Sequence, residues 1–216
     1  MQNNFRRVYY TFLGVLFLLV ILAVAGARLY TDWLWFQSLE YQRVFLTIIL
    51  SDIGLRLGVG VAFFILLFTS LMFTRGYLLR AAQQSTVLIE DDLLTIQGSP
   101  WSRFLTNRFL IAAFAALSLI MAFLFSFSVA GDWVTLQKFL HPTSFGISEP
   151  VFNLDVGFYV FRLPFFLFLY HVASAALLVI AFWTAVAYLL ADLAQGSAGG
   201  LFKSIAARYH LSFLAA

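Results

Sequence analysis

The chain has no cysteine, which removes disulfides, thiolate metal sites and a cysteine nucleophile together. Charge is scarce as well. Asp, Glu, Lys and Arg make up 11% of the 216 residues, against roughly a quarter in soluble domains. The 13 basic and 10 acidic residues leave a net charge of +3 and are scattered along the chain. No basic stripe is available to follow a phosphate backbone, so nucleic acid is not an expected partner. Sequence motifs of catalysis are missing too: there is no glycine-rich phosphate loop, HExxH or GxSxG. No catalytic, cofactor-binding or metal-ligating residue is assigned, and no cofactor is expected.

What is abundant is apolar surface. Hydrophobic residues reach 62% and aromatics 19%, with 26 Phe. A water-soluble fold could not hide this much apolar area, so part of the solvent must be lipid. About 20 helical residues at 1.5 Å each cross a ~30 Å hydrocarbon core. Four segments qualify, near residues 8–28, 50–74, 109–130 and 164–190. The expected fold is therefore all-α: an integral membrane bundle of four transmembrane helices with short interfacial helices.

The first segment follows Arg6 and Arg7. Ala25-Gly26-Ala27 resembles a signal-peptidase site, but the apolar run exceeds the roughly 7–15 residues of a signal peptide. It reads as an uncleaved anchor. In residues 31–45, Trp33, Trp35, Phe36 and Tyr41 alternate with Asp32, Glu40 and Arg43. Rings beside charges suit a membrane interface, and this stretch reads as a short interfacial connection. The second block contains Asp52 and Arg56, four apart and so on one helix face. They read as a stabilising pair near the outer boundary rather than a buried ionic site. Gly54, Gly58 and Ala62, and later Ala112 and Ala116, are expected to let another helix approach closely.

Residues 75–108 form the most basic connection and are assigned to the cytoplasmic side. Glu90, Asp91 and Asp92 lack a histidine and the spacing of a calcium loop, so they read as a solvated acidic turn. Residues 131–163 form the outer loop. Within it Asp155 is placed to cap a short helix over 156–162, and Pro164 to open the fourth span. Orientation follows the Lys and Arg distribution. With the N-terminus inside, inner segments hold Arg6, Arg7, Arg75, Arg80, Arg103, Arg108, Lys203 and Arg208; outer ones hold Arg28, Arg43, Lys138 and Arg162. This bias predicts both termini in the cytoplasm.

Two stretches carry a resemblance. YTDWLWFQSLEYQRVF at 30–45 and FGISEPVFNLDVGFYVFRLPF at 145–165 are similar to the uncharacterised UPF0182 family of bacterial multi-pass membrane proteins. The family text runs approximately Trp-Phe-x-x-x-Gly-Tyr and later Phe-Gly-x-x-Asp-Pro-x-Phe-x-x-Asp-x-x-Phe-Tyr-x-Phe-x-Leu-Pro. Here Phe145, Gly146, Pro150, Phe152, Asp155, Phe158, Tyr159, Phe161, Leu163 and Pro164 match. Glu149 stands for Asp, and Glu40 for Gly. The resemblance implies a bacterial plasma membrane location. It also implies that the chain is the N-terminal portion of a longer protein with further helices and a large extracytoplasmic part. It implies no particular activity.

Three functions compete. A structural or anchoring module needs apolar spans and packing faces, with lipid and neighbouring helices as its partners. Part of a transporter or channel needs polar groups in a midplane cavity, for which only His171 with Ser174 is available; a lone His near a helix end reads rather as a hydrogen-bonded packing residue. An outer-face enzyme would have to use Asp132, Glu149 and Asp155, and a catalytic carboxylate pair needs a pocket and perturbed pKa values. The first is the expected function, and the chain is not expected to be an enzyme.

Overall fold

A computed structural model of the chain describes residues 2–83, 86–90, 93–97, 106–194, 210 and 212. The fold is helical: α1 (Gln2–Ser38), α2 (Gln42–Gln83), α3 (Asn107–Ser126), α4 (Trp133–Leu140) and α5 (Leu163–Ala194). Two short strands, β1 (Thr86–Glu90) and β2 (Leu93–Gln97), pair antiparallel with Thr86 opposite Gln97. They lie in the connection expected to be polar loop; Asp91 and Asp92 of the expected acidic turn lie outside the described residues. Among the described residues four helical stretches are long and apolar enough to cross a membrane: Arg6–Ser38, Gln42–Arg80, Asn107–Val129 and Phe158–Asp192.

The chain divides into two compact units, Met1–Ser51 and Asp52–Ala216. In the first, residues 6–32 of α1 are exposed throughout. The expected interfacial connection is instead helix. α1 continues to Ser38 and α2 starts at Gln42. The reason is aromatic packing. Trp33 and Phe36, three apart on one face of α1, close on Phe45 at ring distances of 5.5 and 5.4 Å. The turn between the helices is a Schellman motif. Tyr41 N–H donates to Phe36 C=O at 2.9 Å and Glu40 N–H to Gln37 C=O at 3.1 Å. Glu40 occupies the left-handed position with φ +65°.

The second unit is built on three helical stripes. In α2, Phe63, Leu67, Leu71 and Leu78 are buried; in α3, Leu110, Phe114, Ser118 and Ala122; in α5, Ala176, Ile180, Ala187 and Ala191. These are i, i+4, i+7 and i+8 spacings, the footprint of a helix face turned inward. Phe63 stacks on Phe125 of α3 at 4.3 Å. Small residues do serve close packing here, but not those expected from the sequence. A Cβ at Gly60 would stand 3.4 Å from Ser126 Cβ, whereas nothing lies within 4 Å of one at Gly54 or Gly58. Ala62, Ala112 and Ala116 are likewise exposed, because they sit on the opposite side of their helices from the buried stripes.

The fourth span also begins earlier than expected. A helical path starts at 156, widens to a π-turn over Phe158–Arg162, and runs directly into α5. Leu163 N–H reaches back five residues to Phe158 C=O. Pro164 thus lies inside a continuous helix, not at its first turn. A proline there lacks an N–H and crowds the carbonyl four residues back. The wide turn just before it gives that carbonyl room.

Candidate functional site

A group of buried and half-buried polar side chains lies where the C-terminal halves of α2 and α5 meet. Ser70, Thr74 and Tyr77 recur at i, i+4 and i+7 on α2; Thr184, Tyr188 and Asp192 recur at i, i+4 and i+8 on α5. Each set therefore lies on one face of its helix. Ser70 Oγ and Thr184 Oγ1 are 2.7 Å apart, both buried. Tyr77 OH donates to Asp192 Oδ1 at 2.7 Å, and the Tyr77 and Tyr188 rings meet edge to face at 5.6 Å. His210 completes the group: Nε2 is 3.3 Å from Ser70 Oγ and Nδ1 is 3.3 Å from Tyr188 OH. A neutral imidazole offers one donor and one acceptor, and both hydroxyls can take either role. The chain Thr184–Ser70–His210–Tyr188 can thus be satisfied in either direction. Thr74 turns back to Leu71 C=O at 2.8 Å. Among the described residues Ser118 Oγ, fully buried on α3, has no partner.

None of these residues was singled out from the sequence. The signal was there as polar residues at helical spacing near the ends of two apolar blocks, but each one alone reads as an isolated Ser, Thr or Tyr in a span or, for Asp192 and His210, as a polar residue beyond its end.

The candidates that the sequence did supply fall into three places. Asp52 and Arg56 are brought together, with Arg56 Nη2 2.5 Å from Asp52 Oδ2. Asp52 Oδ1 also accepts the Gly131 N–H at 3.1 Å, which ties α2 to the chain just beyond α3. The guanidinium carbon lies 5.9 Å from the centre of the Phe127 ring, within cation–π range.

Asp155 and Glu149 each organise a turn of the 141–157 segment. Asp155 Oδ1 accepts from Phe145 N–H at 3.1 Å and Gly157 N–H at 2.6 Å; Oδ2 accepts from Ser144 Oγ at 2.6 Å and Gly146 N–H at 3.0 Å. The Gly157 bond is the helix cap expected at this position; the other three reach back along the chain to close a loop. The Ser144 hydroxyl foremost, and then the Phe145 and Gly157 amides, hold its pKa down at about 2. Two glycines permit the closure. Gly146 takes φ +67°. At Gly157 a Cβ would lie 2.3 Å from Thr143 O and 2.7 Å from Asp155 Oδ1. Glu149 accepts from Val151 and Phe152 N–H at 2.7 and 2.8 Å and from Tyr159 OH at 3.2 Å. The Phe152 amide above all keeps its carboxyl below the ordinary range. Both carboxylates are thus committed to donors of their own chain, and both are held ionised, the wrong state for a general acid.

Asp132 and His171 are in a different place. They line a cavity of about 530 Å³ with Ser128, Thr135 and Phe168. His171 is exposed and packs its ring edge-on to Tyr170 at 5.6 Å. It was expected to be hydrogen-bonded, yet it makes no side-chain hydrogen bond among the described residues. The buried face of α5 runs through Ala176, Ile180 and Thr184, and His171 lies off that line. Ser174 does not line the cavity. Among the described residues no three His, Asp or Glu side chains converge as a metal site would need.

The class these features define is a helical chain with four membrane-length helices, three of them packed through narrow apolar stripes and a short polar seam. The family model described as "Uncharacterised protein family (UPF0182)" matches residues 9–216, and the chain belongs to that family. A "UPF0182 protein" of Pelotomaculum thermopropionicum is 58% identical over 216 residues, all of this chain and 24% of the relative. One of Desulforamulus reducens is 42% identical over 199 residues, 88% of this chain and 21% of the relative. One of Moorella thermoacetica is 35% identical over 171 residues, 79% and 18% respectively. The chain thus spans about a quarter or less of the length of these curated relatives. No solved structure matches it.

Proposed function

We propose that this chain is a structural membrane module: a multi-pass anchor in the bacterial plasma membrane, its partners the bilayer and neighbouring helices, its role mechanical rather than catalytic. One observation supports this above the others. Polar groups of α2 and α5 bond across to each other, Ser70 to Thr184 and Tyr77 to Asp192, both at 2.7 Å. Interhelical bonds of this kind hold spans together, at about 0.6 kcal/mol each on average. With the N-terminus in the cytoplasm, as the basic residues favour, the α2–α3 connection is inside and the Asp155 loop outside. The native chain has no cysteine, so single cysteines at Glu90 and Ser148 can be labelled without a background. Labelling at 148 but not 90 in intact cells is expected; the reverse would overturn the orientation.

A second reading is part of a transporter or channel. His210 favours it, since an ionisable ring bonded to Ser70 and Tyr188 beside two apolar helices could relay a proton. The two readings separate in vesicles. As a module, Ser70→Ala with Thr184→Ala lowers the thermal midpoint, and vesicles holding the native protein and a trapped pH dye show no proton flux above empty ones. A flux that Ser70→Ala abolishes would decide for transport.

A further inference from the structure

The segment between α4 and α5 carries an apolar tip. Of residues 147–154, Ile147, Val151, Phe152 and Leu154 are exposed, Val151 at 75% and Phe152 at 72%. Apolar side chains clustered in this way outside a span mark a contact surface. The backbone of the tip is closed on itself. Glu149 N–H donates to Leu154 C=O and Asn153 N–H to Glu149 C=O, both at 2.9 Å. The Glu149 carboxylate takes the N–H groups of Val151 and Phe152, and Pro150 has none. From 149 to 153 no backbone donor is left over. Water would supply a partner to the donors of an ordinary loop, whereas lipid would not. The tip is built for a place where water is scarce.

Its depth follows from two contacts with the Phe158–Asp192 span. Tyr159, in the first turn of that span, donates from its OH to Glu149 Oε2 at 3.2 Å. The Phe145 ring stacks on Phe161 at 6.0 Å. The tip is therefore held beside the end of a membrane-length helix, where tyrosine rings meet the headgroups. The charges also suit a phospholipid surface. Between 138 and 162 they are Lys138, Glu149, Asp155 and Arg162. The two acids are occupied by donors of their own chain. Lys138 and Arg162 are exposed and form no salt bridge among the described residues. What is left free is positive, the complement of lipid phosphate.

We propose that this tip is an interfacial anchor, with Val151 and Phe152 set among the glycerol esters and first acyl carbons of the leaflet beside the start of the fourth span. Its ligand is the phospholipid surface, not a single bound lipid. The anchor fixes the depth at which α5 enters the bilayer. This rests on the membrane-module reading.

The test uses vesicles of phosphatidylethanolamine and phosphatidylglycerol holding the chain with one nitroxide-labelled cysteine: Val151→Cys, Ser148→Cys or Leu178→Cys. The native sequence has no cysteine to interfere. Collisions with oxygen report lipid, and collisions with a water-soluble nickel chelate report water. Ser148 pairs with Asp155 and so faces away from Ile147 and Leu154; it should be wet. Leu178, 73% exposed on α5, reports the bilayer. The ratio of oxygen to nickel collisions at 151 should exceed that at 148 about fivefold or more. Phe152→Ser removes an exposed ring and should lower the ratio at 151 about threefold, with the thermal midpoint unchanged. A ratio at 151 equal to that at 148 overturns the proposal, and so does one that Phe152→Ser leaves unchanged. Collision with neither reagent at 151 means that protein covers the tip, another segment or a second copy, and overturns it too. Nickel access at Leu178 would count instead against the membrane reading itself.

Discussion

Glu40→Gly should stabilise the turn between α1 and α2, and the size of the effect follows from the backbone. Glu40 holds φ +65° at the position after the helix end, the αL site of a Schellman motif. For an L-residue the left-handed conformation costs roughly 1–2 kcal/mol, from Cβ against the following carbonyl. Glycine avoids that contact but loses about 0.5–1 kcal/mol more conformational entropy on folding. The net gain is about 0.5–1 kcal/mol, a factor of ~2–5 in the opening equilibrium. Glu40 is exposed, so loss of its side chain removes little else. The UPF0182 text carries glycine at the matching position. The assay is amide hydrogen exchange in detergent micelles, followed at Tyr41 and Glu40, whose N–H groups close the motif. Both should exchange about two- to fivefold more slowly in the glycine variant. Glu40→Ala keeps the Cβ and should show no such gain. Equal or faster exchange in Glu40→Gly, or the same protection in Glu40→Ala, would refute the reasoning.

Three further predictions concern the second unit. Asp155 takes two donors on each oxygen, so Asp155→Asn, whose amide must face one pair of them, should have a thermal midpoint between those of the native chain and Asp155→Ala. Because its pKa is depressed from 3.8 to about 2, its stabilisation is complete above about pH 4 and is lost as pH falls towards 2; Asp155→Ala should lack that part of the acid slope, and an identical slope would rule the role out. Gly157→Ala puts a methyl 2.3 Å from Thr143 O and should destabilise by about 1–3 kcal/mol, read as a lowered midpoint. Ser118→Ala removes a buried hydroxyl that has no partner among the described residues and should raise stability by about 1 kcal/mol, so a lowered midpoint would mean that the hydroxyl is bonded after all.

The apolar runs alone determined that the chain is helical and pointed to the four membrane-length helices found among the described residues. Runs of apolar residues at low charge have few other solutions, because backbone groups in lipid must be bonded within the helix. The Asp52–Arg56 pair and the Asp155 cap were also legible, since both rest on partners within four residues along one helix or turn. What the sequence did not show was which face of α2 and of α3 packs against the other described helices. In a span that is apolar on every side, neither hydrophobicity nor small size marks the packing face. The alanines at 112 and 116 looked as suitable as Phe114 and Ser118, and only the fold shows the latter buried. The seam of Ser70, Thr184, Tyr188 and His210 was hidden for the same reason: its members are 114 and 140 residues apart, and helical spacing gives each a side of its own helix but not the helix it will meet. That choice belongs to tertiary packing, where shape complementarity and paired hydroxyls, not water, select the contact.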